Sequence, residues 1–316
     1  MTAFYLQQLV NALTIGALYA LIALGYTMVY GVLKLINFAH GEMFSGGAYF
    51  ALFIFLTAVA TLGLSPMVVT LVVFASAFVF IGLVGLLVER IAYRPLRNAS
   101  RLAPLLSALG VSIFLQQLLM VIAGPNPLQF PELVERRAIA LGPVVFSNIN
   151  VIVLVVAVAL MLSLQFFVQK TRFGIHLRAV AESLPTARLV GIPAGRPIFI
   201  VFFIGPALGA VAGILYGMNY GVIHYGIGTV IGLKAFTAAI LGGIGSIPGA
   251  MIGGFLLGLL ETFGAGLLPI LTNDALGSEY RDIFAFSVLV LVLLFRPGGL
   301  LGRAYTEEDQ VYKKDF

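Results

Sequence analysis

The sequence predicts an all-α, polytopic membrane protein with about eight to nine transmembrane helices and glycine-rich helix breaks. Three observations carry that expectation. Hydrophobic residues fill 60% of the 316 positions and charged residues only 10%, with a mean hydropathy of +1.07; soluble domains carry about a quarter charged residues. Residues 43–88 hold no Asp, Glu, Lys or Arg, and a bilayer span needs roughly 20 apolar residues, so this window contains two spans. Finally, the basic residues collect in a few short segments between apolar runs. The runs are continuous, whereas a membrane β-barrel shows short alternating segments.

The first element covers about residues 9–30. No Lys or Arg precedes Lys34, so this run is expected to be an uncleaved spanning helix that starts on the outer side, not a secretory signal. The two spans within 43–88 follow, then runs at about 105–123, 149–168, 198–219, 235–260 and 283–295. Arg90, Arg94, Arg97 and Arg101 mark one basic segment; Lys170, Arg172, Arg178, Arg188 and Arg196 mark a second; Arg296, Arg303, Lys313 and Lys314 mark the C-terminal end. Basic segments stay cytoplasmic, which puts residues 124–148 and 271–280 outside. The outer loop sets Arg136 and Arg137 against Glu132 and Glu135 and carries little bias. Between the second basic segment and the tail the number of crossings must be even, and four fit: 197–219, 229–245, 248–269 and 281–295. Residues 1–316 thus read as one transmembrane domain, with a cytoplasmic segment at 172–197 and a short cytoplasmic tail at 296–316. The net charge of +5 reflects membrane orientation, not nucleic-acid binding.

Glycine is abundant, at 36 residues, against a usual share of about 7%. One group is Gly41, Gly46 and Gly47; another is Gly242, Gly243, Gly245, Gly249, Gly253 and Gly254 in LGGIGSIPGAMIGG. Small residues let helices approach closely in lipid, which accounts for most of them. Pro248 adds a missing backbone donor, and broken backbone at membrane depth survives only inside protein or beside a water-filled path. Discontinuous helices are also where transporters bind or gate substrates.

Charges inside the apolar runs are few: Glu42, Lys234 and Glu261. An intramembrane carboxylate is a functional candidate by default. Against that, Glu261 is expected near the outer end of its helix, close to water, and Glu42 in a first helical turn that Asn37 would cap.

Several chemistries drop out. The chain has no cysteine, hence no disulfide and no thiolate nucleophile. His40, His176 and His224 are far apart in sequence, and no metal site is expected. His40-Gly-Glu42 is similar to the His-x-Glu of zinc deaminases, but the Pro-Cys-x-x-Cys partner cannot exist here. There is no Gly-x-x-x-x-Gly-Lys-Ser/Thr phosphate loop and no dinucleotide fingerprint. No catalytic residues and no cofactor are expected in this chain.

The cytoplasmic segment RFGIHLRAVAESLPTARLVGIPAGRP reads as two short helices, about 175–183 and 185–190. Pro185 suits a helix start, and Gly191 with Pro193 a stop. Leu177, Val180, Ala181 and Leu184 recur at helical spacing and make one side sticky. That side suits either a protein partner or the membrane surface, with Arg178 and Arg188 toward headgroups.

Three stretches, NALTIGALYALIALGYTMVYGVLKLINFAHGE (11–42), GIHLRAVAESLPTARLVGI (174–192) and GLKAFTAAILGGIGSIPGAMIGGFLLGLLE (232–261), resemble the permease subunits of branched-chain, or hydrophobic, amino-acid ABC importers. The likeness covers nearly the whole chain and is to the first of the two permeases that pair in such systems. It implies a multi-pass protein of the bacterial inner membrane. It also implies a second homologous permease, two ATPase subunits that bind ATP and Mg, and a periplasmic substrate-binding protein as partners. The cytoplasmic segment then becomes the coupling helix that docks on an ATPase, with Gly174, Arg178, Ala179, Glu182, Ala187, Leu189 and Gly191 matching; the full Glu-Ala-Ala-x-x-x-Gly loop of other importers is absent. Asn37, His40, Gly41, Glu42, Gly46 and Gly47, with Gly242, Gly243, Gly245 and Pro248, become the expected translocation path or gate. Urea and short-chain amide permeases share much of the pattern. An ion-coupled secondary transporter using Glu261 or Glu42 is the rival from another class.

Overall fold

The computed structural model describes residues 2–62, 65–96, 99–100, 102–193, 195–273, 275 and 277–302. The expectations for Arg97, Arg101, Arg303, Lys313 and Lys314, and for most of the tail, lie outside these residues. The described chain is a helical bundle built on α1 (Thr2–Leu33), α2 (His40–Leu62), α3 (Pro66–Val88), α4 (Leu102–Ala123) and α5 (Asn148–Lys170). Two short helices, α6 (Arg172–Glu182) and α7 (Leu184–Leu189), lead to α8 (Gly195–Tyr220), α9 (Ile227–Gly242), α10 (Ile247–Leu271) and α11 (Arg281–Phe295). Among the described residues, seven helices are long and apolar enough to cross a bilayer. The expectation of eight to nine spans adds α9 and α11, of 16 and 15 residues. Those helices are about 24 and 22 Å long against a hydrocarbon core of about 30 Å.

α1 and α8 form the centre. Their middle turns are almost wholly buried, from Ala17 to Leu24 and from Ala207 to Leu215. α10 runs antiparallel along α1 on a seam of small residues: a side chain at Gly254 would strike Ala20, and one at Gly258 would strike Gly16. Lipid supplies no hydrophobic force between helices, so such backbone approach is what holds them. α4 lies at the periphery, with Leu106, Ile113, Phe114, Val121 and Ile122 exposed.

Short strands gather at the end of the bundle where α1 begins. β1 (Leu128–Gln129) pairs antiparallel with β4 (Val222–Ile223), and β2 (Ala138–Leu141) with β3 (Val144–Ser147). The backbone N–H of Val145 donates to Gln7 Oε1 at 3.0 Å. Arg136 Nη2 donates to the Met218 and Asn219 carbonyls at 2.8 and 3.2 Å, so this cation caps the end of α8.

Candidate functional site

The first predicted break is real but narrower than expected. α1 ends at Leu33, residues 34–39 turn back with Lys34 at φ 54°, and α2 starts at His40. His40 is fully buried beside Gly25, where any Cβ would collide with the imidazole. Gly25 lies eight residues before the end of α1, so α2 begins about 12 Å inside that end. Neither imidazole nitrogen makes a well-formed hydrogen bond among the described residues; the Ile22 carbonyl on α1 is the polar group within its reach. Asn37 does not use its side chain to cap α2; its Oδ1 accepts from Tyr93 Oη at 2.8 Å, anchoring the break to the residues after α3. Gly41, Gly46 and Gly47 lie within α2, not in broken backbone. Side chains at Gly41 or Gly47 would strike Gly228 and Gly232, or Ala210, so those two are contact points with α9 and α8.

The second break is where the sequence put it. α9 ends at Gly242; Gly243 and Gly245 have φ of 105° and 95°, and α10 restarts with Ser246 accepting from the Gly249 N–H at 3.2 Å. Pro248 sits in the first turn of α10, where its missing N–H costs nothing. A side chain at Gly243 would hit Gly302, and Leu300 and Leu301 donate to the Leu241 and Gly242 carbonyls at 3.0 and 2.9 Å, so residues 298–302 close over this turn. Gly245 faces Gly31 near the end of α1. The structure therefore brings the two breaks together at one end of α1. Tyr26, His40, Phe38 and Phe236 join them, with Tyr26–His40 centroids 4.7 Å apart and Tyr26–Phe236 5.6 Å.

Glu42 is 2% exposed on the first turn of α2. It accepts from Thr229 on α9 at 2.8 Å, from Ser45 at 3.2 Å and from Ser112 on α4 at 3.5 Å. Gln116, one turn along α4, donates to Thr229 at 3.0 Å. These residues form a polar stripe between α2, α4 and α9. Sequence reading named only Glu42; Ser112, Gln116 and Thr229 carry no local signal.

Glu261 is buried within the bundle. It is 4% exposed and bonds Lys234 Nζ at 2.7 Å, Tyr19 Oη at 2.6 Å and Arg281 Nε at 3.2 Å. Lys234 also meets Asp282 at 2.8 Å. Two cations and two carboxylates cancel, and the cluster ties α1, α9, α10 and α11 together. Among the described residues no group of three His, Asp or Glu is arranged to hold a metal.

The basic segment at 172–197 folds as two helices, Arg172–Glu182 and Leu184–Leu189. Thr171 accepts from the Gly174 N–H at 3.1 Å, Ser183 accepts from the Thr186 N–H at 3.3 Å, and Gly191 with φ 79° ends the pair. The predicted sticky side faces inward: Leu177 and Val180 are buried against the bundle, and Ala181 and Leu184 are half-buried. Arg178 is not free for lipid headgroups; its Nη1 donates to the Val168 carbonyl at the end of α5. Gly174 lies against the same carbonyl, where no side chain fits. Ala187 is 2% exposed and also faces the protein, whereas Leu189 and Val190 are 87% and 69% exposed. Ala179 is half-buried and Glu182 exposed. The free apolar tip is Leu189–Val190.

Residues 8–293 match the sequence family described as branched-chain amino acid transport system / permease component. The chain belongs to that family. It is 48% identical over 309 residues to the high-affinity branched-chain amino acid transport system permease protein BraD of Pseudomonas aeruginosa, covering 96% of this chain and 98% of that one. The permease protein LivH of Escherichia coli K12 is 43% identical over 310 residues, with the same coverage. A probable LivH of Methanocaldococcus jannaschii is 28% identical over 305 residues, 92% of this chain and 91% of that one. No solved structure matches. The permease is thus a multi-pass membrane component of a transport system, nearly all-α.

Proposed function

We propose that this permease is one of two homologous membrane subunits of an ABC importer that carries branched-chain or other hydrophobic amino acids into the bacterial cytoplasm. Near-full-length identity to branched-chain amino-acid permeases carries the reading. Separate ATPases supply the energy, since the chain has no phosphate loop, and a periplasmic binding protein delivers the substrate. α6 and α7 are the coupling element, and Leu189 with Val190 is the tip that enters an ATPase groove. The buried side of α6 and the bond from Arg178 to the end of α5 make that tip move with α5 and not independently of it.

The path runs where the two breaks meet and along the Glu42 stripe. Exposed polar groups at membrane depth need protein or water beside them. Thr229 is exposed and Gln116 half-buried there, so the face of α4 and α9 is where the second permease closes the path. Purification of the whole complex and reconstitution in proteoliposomes tests the reading. Leucine, isoleucine or valine should accumulate only with ATP and binding protein; accumulation of urea or short-chain amides instead, or uptake driven by an ion gradient without ATP, would replace it.

A further inference from the structure

Glu42 is a buried carboxyl group that no cation faces. Among the described residues its carboxylate enters no ion pair. Lys234, also on α9, by contrast has both Glu261 and Asp282. The donors to Glu42 are three hydroxyls, one of them at 3.5 Å, the limit of a hydrogen bond. A carboxylate offers about four acceptor positions, so there is room for a further, stronger donor.

The surroundings say which donor. α2 and α9 both begin here, with Glu42 and Thr229 in their first turns. Broken-helix transporters use such N-termini to hold the carboxylate of a substrate. In this chain Glu42 already occupies that place. The end of an amino acid that this position takes is therefore its ammonium group. Polar groups flank it: Gln116 bonded to Thr229, and the His224 ring, whose Nδ1 accepts from the Gly226 N–H at 3.1 Å. Ile113, Val230 and Leu233 are exposed beside them and offer an aliphatic side chain somewhere to lie.

We propose that Glu42 is the station that receives the α-ammonium of the amino acid in transit, with Thr229 and Ser112 orienting its carboxylate. This rests on the amino-acid permease reading. Three polar residues far apart in sequence, Glu42, Ser112 and Thr229, converge there, and no structural ion pair explains the carboxyl group.

The absence of cysteine from the chain supplies the probe. In the complete complex, Gln116→Cys is modified by a cationic and by an anionic methanethiosulfonate of similar size, and the mass of this chain reports each rate. The cationic reagent should react about tenfold faster, leucine should slow it, and Glu42→Gln should bring the two rates within about twofold, while Glu42→Asp keeps the preference. Uptake of leucine should fall at least tenfold in Glu42→Gln while binding-protein-stimulated ATP hydrolysis persists. Equal rates in the parent, a preference that survives Glu42→Gln, or unchanged leucine uptake in Glu42→Gln each overturn the proposal and leave the permease reading standing. A parent complex that takes up no amino acid with ATP overturns the permease reading itself.

Discussion

Removing one member of the Lys234–Glu261 pair should cost far more than removing both. The two side chains are 9% and 6% exposed and 2.7 Å apart. At an effective dielectric of about 20 their attraction is about 6 kcal/mol, most of which offsets desolvation. Breaking such a buried pair from one side typically costs about 3–5 kcal/mol. Here Asp282 stays with Lys234 and Arg281 stays with Glu261, so about 2–4 kcal/mol is expected for Lys234→Met or Glu261→Leu alone. In the double variant Arg281 and Asp282 remain, already 3.8 Å apart, and the cluster stays neutral. Its main loss is the acceptor for Tyr19, about 1 kcal/mol. The double-mutant cycle should therefore show a coupling of at least about 2 kcal/mol, roughly 30-fold in the unfolding equilibrium. Reversible denaturation of the purified chain by sodium dodecyl sulfate in mixed micelles measures it. Losses that simply add, or single variants as stable as the parent, would refute the reasoning.

Glu261→Gln should lower the amount of folded permease yet leave the remaining transport dependent on ATP, measured as uptake per subunit with and without a proton gradient. Gly245→Ala should reduce uptake with little loss of abundance: the φ of 95° penalises a Cβ by about 1–2 kcal/mol but nothing is crowded there. Gly243→Ala, whose Cβ meets Gly302, should lower abundance as well, as quantitative immunoblots of membranes would report. Leu189→Glu should leave the permease inserted but release the ATPase on co-purification, and a cysteine at 189 should cross-link to the ATPase groove where one at 187 does not. His40→Leu should change stability by no more than about 1 kcal/mol, because it trades a poorly paired buried imidazole for an apolar side chain, while lowering uptake; a less stable but fully active variant would show that the imidazole serves packing alone.

What the sequence made legible follows from what it encodes locally. Apolar run length located the helices that cross, seven of which are long enough among the described residues, while the two shorter helices α9 and α11 fall below that length. Turn chemistry placed both short helices of residues 172–189 within a few residues of their observed bounds, since Pro185 and Gly191 act on their immediate neighbours. Pairings across the chain left no local trace. Glu42 and Thr229 are 187 positions apart and Tyr19 and Glu261 are 242 apart; each carboxylate stands out in an apolar run, but nothing local marks Thr229 or Tyr19 as its partner.

Residues 172–190 show where periodicity stops informing. The spacing of Leu177, Val180, Ala181 and Leu184 correctly identifies one apolar face, but a face has no label for the body that covers it. The bundle covers it, because α6 starts one residue after α5 ends and Gly174 must lie against the Val168 carbonyl. That contact fixes the rotation of α6, and the short connection through Ser183 then fixes α7, turning Ala187 inward and Leu189 outward. A small residue at 187 thus follows from packing against its own chain. Its likeness to a docking contact comes from sitting two residues from the side chain that is free to dock.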